Sequence, residues 1–163
     1  MGTMKDHTYT RRPSDIFPKG VFELTVSYKR KLEKRITVTT SFEIADIARG
    51  FYAEGSIEYQ ETFLILLLDR TNHIYAYKII STGSLAGTVV DPKMIFQTAL
   101  LSHASSVVLC HNHPSGNVER ASQQDIDLTR KIVSGGKLLE IQILDHIILA
   151  VDKHFSFADE GMM

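Results

Sequence analysis

The stretch from Glu61 to Asp69 limits the fold more than any other. Between these two acids stand Thr62 and a run of apolar residues, Phe63 to Leu68. The run is far too short to cross a membrane, and it is too apolar to keep one face wet. It reads as a strand buried on both faces. Such a strand belongs in the middle of a sheet that helices cover on both sides. A chain of 163 residues is long enough to build one such core.

The neighbouring segments fit that frame. Val21 to Tyr28 alternates apolar and polar residues, as a half-buried strand does. Lys29, Arg30, Lys31, Lys34 and Arg35 follow, then the β-prone stretch Ile36 to Thr39, so a hairpin is expected with the basic cluster at its turn. The cluster reads first as a solvated turn and alternatively as a phosphate-binding patch. Thr40 and Glu43 have capping-box spacing, and Ile44, Ile47, Ala48 and Phe51 recur at helical intervals, predicting a helix that ends before Gly55. Arg70 to Asn72 reads as a turn and His73 to Ser81 as the partner of the buried strand. Gly83 and Gly87 mark a loop. Asp91 followed by Pro92 predicts a helix start, with Met94, Ile95, Thr98, Ala99 and Ser102 facing inward. Val107 to Cys110 reads as a second buried strand. A helix is expected from about Gln123 to Val133, stopping at Gly135 and Gly136. Leu139 to Ile143, Ile147 to Val151 and Phe155 to Phe157 read as two or three closing strands. The domain plan is a leader over residues 1–20, a hairpin extension over 21–39 and the main domain over 40–163.

Composition narrows the function classes. The net charge is −1, so the whole-molecule field gives no sign of nucleic-acid or membrane binding. Cys110 is the sole cysteine, which rules out an intramolecular disulfide and fits a reducing, cytoplasmic setting. The polar segment Met1 to Gly20 lacks the apolar core of a signal peptide. No membrane partner is expected, and the chain is expected to be a monomer or homodimer.

The chemistry-bearing stretch begins where the second buried strand ends, at Cys110, His111, Asn112, His113, Pro114, Ser115 and Gly116. Side chains alternate along a strand, so His111 and His113 share a face and Asn112 takes the other. Two such imidazoles can converge on one ion at about 2.0–2.1 Å each. If the Pro114–Gly116 turn folds the next helix back over the strand, Asp125 can add an oxygen. Two histidines, an aspartate and a water make a four-coordinate site with an open position, the catalytic arrangement for zinc. A histidine pair with this spacing is a weak sign alone. Ser122 and Asp125 also match a capping box and can serve only the helix start. Cys110 faces away from the histidines and reads as a small core residue rather than a ligand. His146, beside Asp145 between two apolar segments, reads as half of a hydrogen-bonded structural pair, with a catalytic pair as the alternative.

The whole string, His111, His113, Pro114, Ser122 and Asp125, resembles the JAMM metalloprotease motif, and the His-Asn-His-Pro-Ser-Gly version resembles the RadC-like JAB/MPN family. The resemblance runs from about Thr40 to the C-terminus. It implies an α/β fold, a mixed sheet flanked by helices, similar to the cytidine-deaminase architecture. It implies that His111, His113 and Asp125 are zinc ligands, that Ser122 stabilises an oxyanion, and that Glu61 is the general base. A carboxylate entering a doubly buried strand is partly desolvated, which favours base chemistry. Relatives of this kind usually carry an N-terminal helix-hairpin-helix, and residues 1–39 are too short and strand-like for one. Ala121 stands where the family commonly has proline.

A zinc-dependent hydrolase of peptide or isopeptide bonds is therefore the leading expectation, acting on an unidentified peptide or protein. A DNA-associated protein, suggested by the family's link with DNA repair, is the alternative; the basic cluster is its one local support. A metal-binding scaffold without turnover is a third. Specificity is expected to lie in the loops Gly83 to Val90 and Asn117 to Ala121.

Overall fold

The computed structural model describes residues 36–83 and 89–163. The expected leader, the first hairpin strand, the basic cluster Lys29–Arg35 and Gly87 lie outside the described residues. Six strands and three helices follow in the order β1 (Ile36–Thr37), α1 (Ser41–Arg49), β2 (Thr62–Leu68), β3 (His73–Thr82), α2 (Pro92–Leu101), β4 (Ser106–Asn112), α3 (Gln123–Leu139), β5 (Gln142–Leu149) and β6 (His154–Ser156). The strands form one mixed sheet in the order β1-β3-β2-β4-β5-β6. Only β4 and β5 run parallel, joined across the sheet by α3.

The apolar run occupies the interior position expected of it. Every residue of β2 is buried, with β3 on one side and β4 on the other. Leu64, Leu66 and Leu68 pack under α1, against Ile44, Ala45 and Ala48. Phe63, Ile65 and Leu67 face the opposite layer, where Ile95 and Ala99 of α2 and Ile132 of α3 cover them. Each such side chain contributes roughly 1.5–3 kcal/mol by leaving water. The β2–β3 turn is held by Asp69 Oδ1, which accepts from the Thr71 amide at 2.9 Å. Asn72 takes the positive φ of 58° that this turn requires.

Helix starts follow the sequence closely. Thr40 Oγ1 accepts from the Glu43 amide at 3.2 Å, and Glu43 Oε2 accepts from the Thr40 amide at 3.2 Å. Asp91 Oδ1 accepts from the Lys93 amide at 2.9 Å, with Pro92 at the first helical position. The inward stripe of α2 is narrower than expected. Ile95 and Ala99, one turn apart, are buried, whereas Met94 lies to the side and is exposed.

Two expectations fail at the C-terminal half. Helix α3 does not stop at Gly135 and Gly136; it continues to Leu139 and ends on Glu140 at φ 55°. The glycines are there for close approach. A Cβ on Gly136 would stand 2.5 Å from the Ile141 carbonyl oxygen, and one on Gly135 would stand 2.7 Å from the Phe96 ring. Leu139 accordingly belongs to the helix. Two closing strands form, within the expected number, but their bounds differ: Leu139–Ile143 and Ile147–Val151 merge into the single strand β5, which runs through Leu144, Asp145 and His146. No helix among the described residues is long and apolar enough to cross a membrane.

Candidate metal centre

Strand β4 carries the first candidate ligand into the core. His111 pairs across to Phe63 on β2 and to Ile148 on β5, and is 1 % exposed. Its ring stacks on Phe63 with centroids 5.8 Å apart. His113 lies just past the strand end on the same side, and its Nε2 is 3.1 Å from His111 Nε2. Asn112 points the other way, and Cys110 is buried in the layer under α1. Burial pushes the Cys110 thiol well above its ordinary pKa, with Asp145 adding to it, so this cysteine behaves as a core residue.

The fold-back of α3 brings the third candidate ligand. Asp125 Oδ1 is 3.2 Å from His111 Nε2, and Asp125 Oδ2 is 3.8 Å from His113 Nε2. Among the described residues, His111, His113 and Asp125 offer ligand atoms that all lie within 4.8 Å of one another. Atoms bound to one tetrahedral zinc at about 2.0–2.1 Å stand about 3.3 Å apart. The two Nε2 atoms, 3.1 Å apart, and Asp125 Oδ1, 3.2 Å from His111 Nε2, stand close to that value, while the His113 approach to Asp125 is looser, 3.8 Å through its other oxygen. Two nitrogens and a carboxylate oxygen also suit zinc and other borderline divalent metals. The residues fit an ion, and three protein ligands leave room for a fourth.

Ser122 is the N-cap of α3. Its Oγ accepts from the Asp125 amide at 3.1 Å and donates to Asp125 Oδ2 at 2.6 Å, while its own amide donates to the same oxygen at 2.9 Å. The capping-box reading is therefore what the structure displays, and it serves the ligand too. Ser122 fixes one carboxylate oxygen and leaves the other toward His111. Burial of Asp125 opposes its charge, but the hydrogen bond and charge of His111 and the bonds from Ser122 outweigh it and hold the carboxyl below the usual range.

Glu61 stands immediately before β2 and is half-buried. The register pairs Phe63 with His111; continued two residues, it sets Glu61 opposite His113. The strand entry is clamped by fully buried Asn112. Its Oδ1 accepts from the Thr62 amide at 2.8 Å, and its Nδ2 donates to the carbonyls of Ile57 at 2.7 Å and Gln60 at 2.9 Å.

Sequence reasoning misplaced one residue and missed another. His146 pairs with Asp145 through its backbone amide, which donates to Asp145 Oδ1 at 2.7 Å, and not through its ring. Neighbours on a strand face opposite ways, and Asp145 turns toward Ser156 Oγ at 2.6 Å and the Ala158 amide at 2.9 Å. The His146 ring instead enters the ligand layer. Its Nε2 is 2.9 Å from His111 Nδ1, and its Nδ1 is 2.6 Å from Thr129 Oγ1 on α3. Phe157 stacks on its other side at 4.8 Å. Burial above all, and then His111, push its pKa well below the ordinary histidine value. A histidine leading directly into the apolar run Ile147 to Val151 was the available signal; Thr129 gave none.

The RadC-like JAB domain family matches residues 38–162. The chain belongs to that family. A protein of Methanosarcina acetivorans named "UPF0758 protein" is 42% identical over 118 residues, covering 72% of this chain and 51% of that one. A protein of the same name from Geotalea uraniireducens is 38% identical over 146 residues, 89% of this chain and 62% of its own. One from Salinibacter ruber is 34% identical over 138 residues, 85% and 58%. The chain thus spans about half the length of the first of these curated relatives. The RadC-like JAB fold, a mixed sheet with three helices, is the one described above.

Proposed function

We propose that this domain is a zinc-dependent hydrolase of peptide or isopeptide bonds. The observation that carries the reading is the convergence of His111, His113 and Asp125, whose ligand atoms lie within 4.8 Å of one another, with Glu61 two residues before Phe63, the partner of His111. When bound, zinc supplies Lewis acidity, polarising a carbonyl and lowering the pKa of water toward about 7. The remaining work falls to the chain. Glu61 accepts a proton from the attacking water and returns it to the leaving amine. Ser122 Oγ donates to the developing oxyanion, for which its proton must leave Asp125 Oδ2, its acceptor in the resting site. Phe63 and the buried wall behind His111 keep bulk water from that side.

Metal analysis and cleavage of an unbiased peptide library test this together. Wild type and Glu61→Gln are expected to hold zinc in near-stoichiometric amount, with turnover of the variant lowered by about 10²–10⁴-fold. His113→Ala is expected to lose the metal. Equal, negligible zinc in wild type and His113→Ala overturns the metal reading. Unchanged turnover in Glu61→Gln removes Glu61 as the base.

A further inference from the structure

We infer that His146 and Thr129 are positioning residues that set the tautomer of His111, leaving the Nε2 lone pair aimed at the ion. The inference rests on the metal-site reading above but on different atoms. Thr129 Oγ1 lies 2.6 Å from the Asp125 carbonyl oxygen and 2.6 Å from His146 Nδ1. A carbonyl cannot donate, so the one hydroxyl proton of Thr129 goes to Asp125. Thr129 must then accept from His146, which places a proton on His146 Nδ1.

The next link follows from burial. The His146 ring is fully buried between Phe63 and Phe157, and no carboxylate hydrogen-bonds to it. A second ring proton would make it an unpaired cation in an apolar layer. His146 Nε2 is therefore an acceptor, and His111 Nδ1–H donates to it at 2.9 Å. In neutral His111, the form that can ligate, Nε2 is therefore bare and faces His113 and Asp125. His113 reaches the same state by a simpler route: its Nδ1 is 2.8 Å from the Asn117 carbonyl oxygen, which can only accept.

The chain closes on itself. It starts at one ligand, His111, passes through β5 and α3, and ends on the backbone of another, Asp125. Helix and sheet are thereby tied together at the site by groups that never touch the ion. Outer partners of this kind orient a ligand ring and raise its basicity, and their loss typically costs 10–100-fold in metal affinity.

Thr129→Val keeps the shape and removes the acceptor for His146 Nδ1. His146 is then expected to carry its proton on Nε2, which forces His111 to the opposite tautomer. Zinc affinity, measured by competition with a chromophoric chelator, should fall by about 10–100-fold while cooperative unfolding persists. His146→Gln, whose carbonyl can still accept from His111, should bind zinc more tightly than His146→Leu. Long-range ¹H–¹⁵N spectra of the zinc-free wild type should show a proton on Nδ1 of both His111 and His146. A His111 protonated on Nε2 alone, with Nδ1 bare, overturns the inference whether or not any variant folds. So does Thr129→Val with zinc affinity within twofold of wild type. A wild type that binds no zinc yet shows the expected tautomers instead defeats the metal reading and leaves the hydrogen-bond assignment standing.

Discussion

Asn112 sits in the middle of the ligand string, yet its side chain leaves the site. It is 0 % exposed, and three of its four hydrogen-bonding capacities are used on backbone groups of the segment that delivers Glu61. Residues 57–62 would otherwise pass over the sheet end with two carbonyls and one amide facing away from water. Removing the amide leaves those groups without partners, each at about 1–3 kcal/mol if buried. Asn112→Ala is therefore expected to lower stability by about 2–4 kcal/mol in urea unfolding. Asn112→Asp is no rescue, because a second oxygen would meet the Ile57 and Gln60 carbonyls where the amide donated. Neither change touches a ligand atom, so zinc affinity of the folded fraction should stay near wild type while Glu61-dependent turnover falls. An alanine variant as stable as wild type would show that these contacts are replaced by water.

At the level of elements, legibility depended on whether the signal was local. The Thr40–Glu43 box and the Asp91–Pro92 start involve residues within one turn, and both stand as the sequence spells them. Strand β2 was legible because six apolar residues in a row leave no face for water. Gly135 and Gly136 were misread because two different needs select glycine. A helix end wants its freedom at positive φ, whereas here its missing Cβ lets α3 approach Phe96 and the chain at Ile141. Nothing near those positions in sequence names Phe96. Strand β5 was split for a related reason: Asp145 and His146 look polar in a window, yet their partners lie on β6, β4 and α3. Gly136→Ala separates the two roles. On helix propensity alone it would gain up to about 1 kcal/mol. With a backbone oxygen 2.5 Å from the new methyl group, α3 must shift, and a net loss of about 1–3 kcal/mol is expected in thermal or urea unfolding. A stabilised variant would mean that the helix end moves freely.

Over the whole molecule, the sheet order turns separations in sequence into neighbours in space. Placing β2 beside β4 and β4 beside β5 sets Phe63, His111 and Ile148 in one row. Residues from β4, α3 and β5, with Glu61 before β2, thus gather at one end of the sheet. The candidate ligands belong to β4, the segment just after it and α3, so an ion held by all three would bind only when helix and strand are docked. Its binding free energy is then added to folding. The domain does not need it to fold, because apolar layers fill both faces of β2 and β4 without any ligand atom. Zinc at about 100 times its dissociation constant should stabilise the wild type by about 2.7 kcal/mol. For a domain of this size that corresponds to a rise of about 5–10 °C in Tm. A chelator should remove the increment and leave a cooperative transition with unchanged far-ultraviolet circular dichroism. Asp125→Ala should show no zinc-dependent rise, since it removes the ligand contributed by α3. Loss of secondary structure on chelation would instead mean that the metal holds the sheet together, as in small zinc modules, and that the two apolar layers are insufficient alone.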